Sequence, residues 1–179
     1  MIEKFEISRD DSIYHAWPDV VLAANGKLVC IFSECTHHGD RSYTRIMLAD
    51  SSDRGRTWTP KRPLTEGTSK EKGYFYNCAR ISRLRDGRLV ALVDRIPHEC
   101  APNDPERTNL AINLLYFSSD NGQTWGQAQE TPARGIVPDK LLELSSGRWL
   151  LPCHHKSPLT GKLVQRLWYS DNQGQSWSG

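Results

Sequence analysis

Three short stretches of the sequence concentrate side chains able to move protons or hold ions. They are Glu34-Cys35-Thr36-His37-His38-Gly39-Asp40, Asp94 to Glu99, and Cys153-His154-His155-Lys156. Three further stretches, His15 to Asp19, Tyr76 to Arg80 and Asp139-Lys140, open apolar runs. All six histidines, His15, His37, His38, His98, His154 and His155, fall in this set. Imidazoles and carboxylates can transfer protons near neutral pH when their surroundings tune them. Arginine and lysine can hold anions, arginine through a bidentate fork. The competing reading is that loop ends are polar because they are wet; six of six histidines in one set argues against it. The two Cys-His runs lack the Cys-x-x-Cys spacing of structural zinc sites, so neither metal nor cofactor is expected. No phosphate loop, dinucleotide fingerprint or nucleophile elbow is present.

The elements that position these stretches are repeated. Ser51-Ser52-Asp53-Arg54-Gly55-Arg56-Thr57-Trp58 matches Ser118-Ser119-Asp120-Asn121-Gly122-Gln123-Thr124-Trp125. A third copy, Ser170-Asp171-Asn172-Gln173-Gly174-Gln175-Ser176-Trp177, departs at Asn172 and Ser176. A second repeat is interleaved, with turns at Asn25-Gly26, Asp86-Gly87 and Ser146-Gly147 between apolar runs. Its glycines set a unit of about sixty residues, within the range of repeat architectures. Each unit predicts four short strands, A to D. The glycine turns join A to B, and the Ser-x-Asp-x-Gly-x-Thr-Trp box joins C to D. In the box, Asp is expected to accept backbone N–H two residues on, Gly to take positive φ, and Trp to wedge between sheets. No sustained 3.6-residue apolar period occurs, so helix content is expected to be small.

The chain has 179 residues with 23 Lys and Arg against 21 Asp and Glu, a formal net charge of +2. That balance points away from a nucleic-acid or membrane-surface protein. The longest apolar runs, such as Leu89-Val90-Ala91-Leu92-Val93, are too short to span a bilayer. Met1 to Glu6 lacks the apolar core of a signal peptide, and the five cysteines are odd in number. A reduced, cytoplasmic chain is the simplest expectation.

The boxes resemble the Asp-box, or BNR, repeat of the sialidase superfamily, from about Tyr14 to Trp177. The resemblance implies an all-β propeller, six-bladed when complete, with four-stranded antiparallel blades. About three blades fit here, around 14–62, 74–130 and 135–179, in a single domain of 1–179 in which the last strand D is missing. An open ring exposes strand edges and blade faces, so the chain is expected to be half of a longer protein or to self-associate. The resemblance places the active site at the end formed by the strand-A starts and B–C loops. It implies glycoside hydrolysis on a glycan end. Asp40 is then the candidate acid/base, with its pKa tuned upward, against the alternative that it caps the Gly39 turn. Asp19, Glu34, Arg80, Asp94, Arg95, Lys140 and His155 are expected to shape the sugar pocket, with Trp17, Tyr74, Phe75 and Tyr76 stacking or packing nearby. His15-Ala16-Trp17-Pro18 is similar to the family's Phe-Arg-Ile-Pro motif, but Ala16 stands where a carboxylate-clamping arginine is expected. Arg80 or Lys140 is the candidate to replace that charge. A glycan-binding propeller without hydrolysis and a polysaccharide lyase on the same scaffold stay open.

Overall fold

The computed structural model describes residues 3–98, 108–137 and 139–179. Their strands form three antiparallel sheets. The first holds β1 (Tyr14–Leu22), β2 (Leu28–His37), β3 (Asp40–Ser51) and β4 (Arg62–Pro63) in that order, with β5 (Thr68–Ser69) also on β3. The second runs β6 (Tyr74–Arg83), β7 (Leu89–Pro97), β8 (Ile112–Ser118), β9 (Gln129–Arg134). The third is β10 (Leu142–Glu143), β11 (Trp149–Lys156), β12 (Leu163–Ser170), extended only by a bridge from Tyr169 to Ser178. This is an all-β fold of propeller blades. A 3₁₀ turn, Lys70–Lys72, precedes β6.

The interleaved glycine turns close alike in every blade. Ala23, Leu84 and Leu144 each donate N–H four residues on, to Lys27, Arg88 and Arg148, and each accepts from Gly26, Gly87 or Gly147. The boxes differ in one respect from expectation. Asp53 accepts the N–H of Thr57, four residues on rather than two, at 2.9 Å, and its second oxygen takes the Thr57 hydroxyl at 2.6 Å. Ser51 Oγ accepts Gly55 N–H, so the loop closes around two polar side chains. Two successive residues then sit at positive φ, Arg54 at 64° and Gly55 at 86°. Both the residue before glycine and glycine itself carry the reversal. The box tryptophans donate Nε1–H to their glycine carbonyls.

The core lies between the blades. Ile31, Ile46 and Leu48 of the first pack on Ile81, Leu89, Ala91 and Val93 of the second. Val90, Leu92 and Leu115 on its other face pack on Leu141, Trp149 and Leu151 of the third. Because β7 is buried on both faces, it reads as an unbroken apolar run rather than an alternation. The strands also reach further than the sequence pattern suggests. Glu34, Asp94, His154 and His155 lie inside β2, β7 and β11 rather than in loops, and only His38-Gly39 turns between β2 and β3. Glu99 lies outside the described residues.

Candidate active site

The innermost strands of the first two blades carry a bulge at the same place. Register shifts between Ala16 and Asp19 in β1, and between Tyr76 and Ala79 in β6. A bulge re-aims side chains and bends its strand. In β1 it holds Trp17 at φ 50°, a conformation uncommon for a bulky residue and a marker of a constrained site. The indole is clasped from above: Arg41 stacks over it at 4.4 Å, and the His38 ring lies 5.4 Å away. Tyr14 contacts both His37 and His38. The β2–β3 hairpin is thereby folded onto the β1 bulge.

Asp40 stands exposed at the start of β3 beside this cluster. Its Oδ1 accepts the Ser42 N–H at 2.8 Å. The Ser42 bonds, helped by Lys70 and His37, hold the carboxyl below the ordinary range. The upward tuning expected of an acid is therefore not found in the free protein, because the ionised form is the one hydrogen-bonded. Next to it a cavity of about 320 Å³ is lined by His38, Gly39, Arg41, Phe75, Asn77, Ile96, Thr108 and Ile136.

The other nominated residues separate. Asp19 stitches blades together: Oδ2 accepts Ile81 N–H at 2.9 Å, and Oδ1 meets Lys140 Nζ of the third blade at 3.1 Å. Glu34 is engaged by Lys61 Nζ at 2.5 Å and Tyr43 hydroxyl at 3.2 Å, with His15 Nε2 at 3.6 Å. Lys61 also reaches Asp10, pinning the N-terminal segment. Arg95 stacks over Tyr74 at 4.9 Å and lines a separate recess with Gly73, Pro97 and Ile112. Arg80 donates Nη1–H to the carbonyl of Ala79. His155 holds a buried Nδ1 without a hydrogen-bond partner among the described residues.

Asp94 corrects the expectation of a pocket residue. It is 0% exposed, so its carboxyl meets no sugar. It accepts Cys78 N–H at 2.6 Å and Asn77 Nδ2–H at 3.0 Å, holding the β6 bulge, and it also takes a backbone bond from Val137. Burial nonetheless pushes it up to about 6. The Cys-His runs do not converge either. Cys35 and Cys153 are buried and face the carbonyls of His37 and Arg134, and no metal-ligand cluster occurs among the described residues. Sequence reasoning missed Arg41 and Lys61. Arg41 directly follows Asp40, and that adjacency is the only signal either one offers.

The blades are those of a propeller of the sialidase superfamily. The BNR repeat-like domain family matches residues 81–179, and the chain belongs to it. A sialidase from Clostridium perfringens is 25% identical over 154 residues, covering 76% of this chain and 39% of that protein. The chain thus spans about two fifths of that relative. A protein of unknown function from Dyadobacter fermentans superposes with TM-score 0.76 at 18% identity, over 97% of this chain and 56% of that one. A Hadza microbial sialidase superposes with TM-score 0.74 at 14% identity, over 91% and 36%.

Proposed function

We propose that the chain supplies blades of a sialidase-like glycoside hydrolase acting on a glycan end, with Asp40 as acid/base. The observation that carries this is the placement of Asp40 on a hairpin folded onto the β1 bulge, beside a cavity of about 320 Å³. That volume falls within the roughly 300–1,000 Å³ of small-molecule sites. The C. perfringens relative supports the reaction class, and carbohydrate is the substrate class that goes with it. A bound sugar would exclude water from Asp40, and desolvation raises a carboxyl's proton affinity towards what an acid needs. Arg80 is the nominated positive charge at the inner strand ends; Lys140 is paired with Asp19, and His155 does not line the cavity. Glu34 and Arg95 act at a distance, by fixing the strands that carry the cavity.

The test is Asp40→Asn, assayed on a fluorogenic sialoside. General acid–base catalysis contributes about 10²–10⁴-fold, so turnover should fall by at least that lower figure. Asn keeps the oxygen that accepts Ser42 N–H, so the melting temperature should hardly move. Unchanged turnover in the variant removes Asp40 from the role. A second reading, glycan binding without hydrolysis, is favoured by the lowered proton affinity of Asp40 and by Ala16 in the clamp position. Saturable glycan binding with no turnover in the unmutated protein would select it.

A further inference from the structure

Asp94 stands opposite Asn113 in the pairing of β7 with β8, and neither is exposed. Opposed side chains on antiparallel strands share a face and lie about 5 Å apart at Cβ. Both reach the same stretch of chain, residues 133–137. Asn113 Nδ2 donates to the carbonyls of Ala133 and Gly135, each at 3.1 Å. Asp94 accepts the Val137 N–H. An amide nitrogen has two protons, so both are spent. The buried Oδ1 of Asn113 has no donor among the described residues. The polar group opposite it is the Asp94 carboxyl, which as a carboxylate can only accept. As the neutral acid, Asp94 keeps the bonds from Cys78, Asn77 and Val137 on its lone pairs and has a hydrogen to give to Asn113. As the carboxylate, it sets acceptor oxygens against each other where water does not reach.

Asp94 also stands directly behind the cavity beside Asp40. Asn77 and Ile136 form part of the lining. Asp94 grips Asn77 itself and Val137, the residue after Ile136. Ile136 is tied to β11 by paired backbone bonds with His154 at 3.1 and 2.8 Å. The Asn77 carbonyl takes the Ser33 hydroxyl of the first blade at 2.5 Å. One buried carboxyl therefore joins two segments of the wall. The charged and titratable groups around it have other partners. On β6, Cys78 lies beside Asp94, and Arg80 donates to the Ala79 carbonyl. On β7, Arg95 stacks on Tyr74. On β9, Arg134 turns to Glu130 and to the carbonyls of Thr131 and Ala133. From the first blade, Arg41 rests on Trp17. The third blade brings Cys153, bonded to the Arg134 carbonyl, with His154 and His155 next along β11.

We propose that Asp94 is a positioning residue: as the neutral acid it donates its proton to Asn113 Oδ1 and clamps the β6 bulge to the Ile136 stretch, and ionisation releases that wall of the cavity. This deepens the reading of the cavity as the ligand site, but its test needs neither ligand nor turnover. Carbon-13 NMR of the 179-residue chain should show the Asp94 carboxyl carbon titrating near 6, apart from exposed carboxylates at about 4. The side-chain carbonyl carbon of Asn113 should move with the same midpoint. Hydrogen exchange, corrected for its intrinsic pH dependence, is read at about pH 5 and about pH 7.5. The Cys78 and Val137 amides should lose protection by about tenfold or more over that window. The Thr57 amide should not, because Asp53, which accepts it, stays ionised throughout. Asp94→Asn keeps a donor for Asn113 and carries no charge, so it should level the pH dependence at Cys78 and Val137. Asp94 titrating with the exposed carboxylates, an Asn113 carbon that ignores it, or equal protection at both pH values would each overturn the proposal. Should Asp94→Asn fail to melt cooperatively, the titration and exchange of the unmutated chain still decide it. Unchanged turnover in Asp40→Asn would count against the hydrolase reading alone and leave these readouts as they are.

Discussion

Asp94 shows how a residue can carry the chemistry of a site without belonging to its surface. Its type and its position after an apolar strand are visible in the sequence, but its full burial depends on β6, β7 and the chain near Val137 closing over it. Burial raises its pKa from 3.8 to about 6. The folded state then holds the proton more tightly than the unfolded chain. Stability is greatest below about pH 4 for this group and declines as pH rises through 6, by on the order of 2–3 kcal/mol. Asp94→Asn should remove that decline, whatever its constant offset from losing an acceptor. Melts of both proteins at pH 4 and 6.5 check this, and equal slopes would refute it. At this same scale the positions of Asp40, His38 and Trp17 near one end of the first blade were legible because the glycine turns fix the register, while their roles stay part of the proposal. Arg41 and Lys61 were not, since their meaning comes from partners on other strands, Trp17 for one and Glu34, 27 positions away, for the other.

The box is an element whose three copies form an internal experiment. In two of them an aspartate accepts the threonine N–H and hydroxyl four residues on, and these bonds lower Asp53 and Asp120 to about 2. In the third, Asn172 accepts Ser176 N–H at 2.9 Å and donates to its hydroxyl at 2.8 Å, giving the same loop without a charge. The geometry needs an acceptor oxygen at this position, and the charge is secondary. Asp53→Asn should therefore destabilise less than Asp53→Ala in thermal melts. A depressed carboxylate contributes stability that is present above its unfolded value near 4 and lost as pH falls towards 2. The unmutated chain should lose stability over that window, and Asp53→Asn should lose less. Equal effects of Asn and Ala would show that charge, not the acceptor, holds the turn. The box was readable as a turn from its residues. The reach of the aspartate was not, because two consecutive positive-φ residues move the partner from two residues on to four.

Across the molecule the three sheets stack face to face, and the two ends of the stack are finished differently. Repeat spacing and turn glycines were enough to read the blades, since each strand pair is local in sequence. Open blade faces were expected from the count of blades, but which end is covered was not readable, because it depends on which face the Ile7 segment finds. On the first blade, Cys30, Phe32, Met47 and Ala49 are covered by Ile7 and Trp58, with Lys61 tying Asp10 down. On the third blade, the register places Leu142, Leu150, Pro152, Leu167 and Tyr169 on the face turned away from Trp149 and Leu151. Leu142 and Leu167 there remain 54% and 52% exposed. Burying each such leucine is worth about 1.5–3 kcal/mol, and contiguous exposed apolar area favours association. The 179-residue chain should therefore self-associate as its concentration rises, through this face of two copies. Sedimentation velocity should show the weight-average mass climbing from the monomer, and Leu142→Lys with Leu167→Lys should hold it at the monomer. Both side chains project outward, so the doubly substituted chain should melt close to the unmutated temperature. A mass that stays monomeric at all concentrations would show that the exposed leucines do not drive pairing. A mass that still climbs in the lysine variant would move the contact to the opposite end, beneath the Ile7 segment.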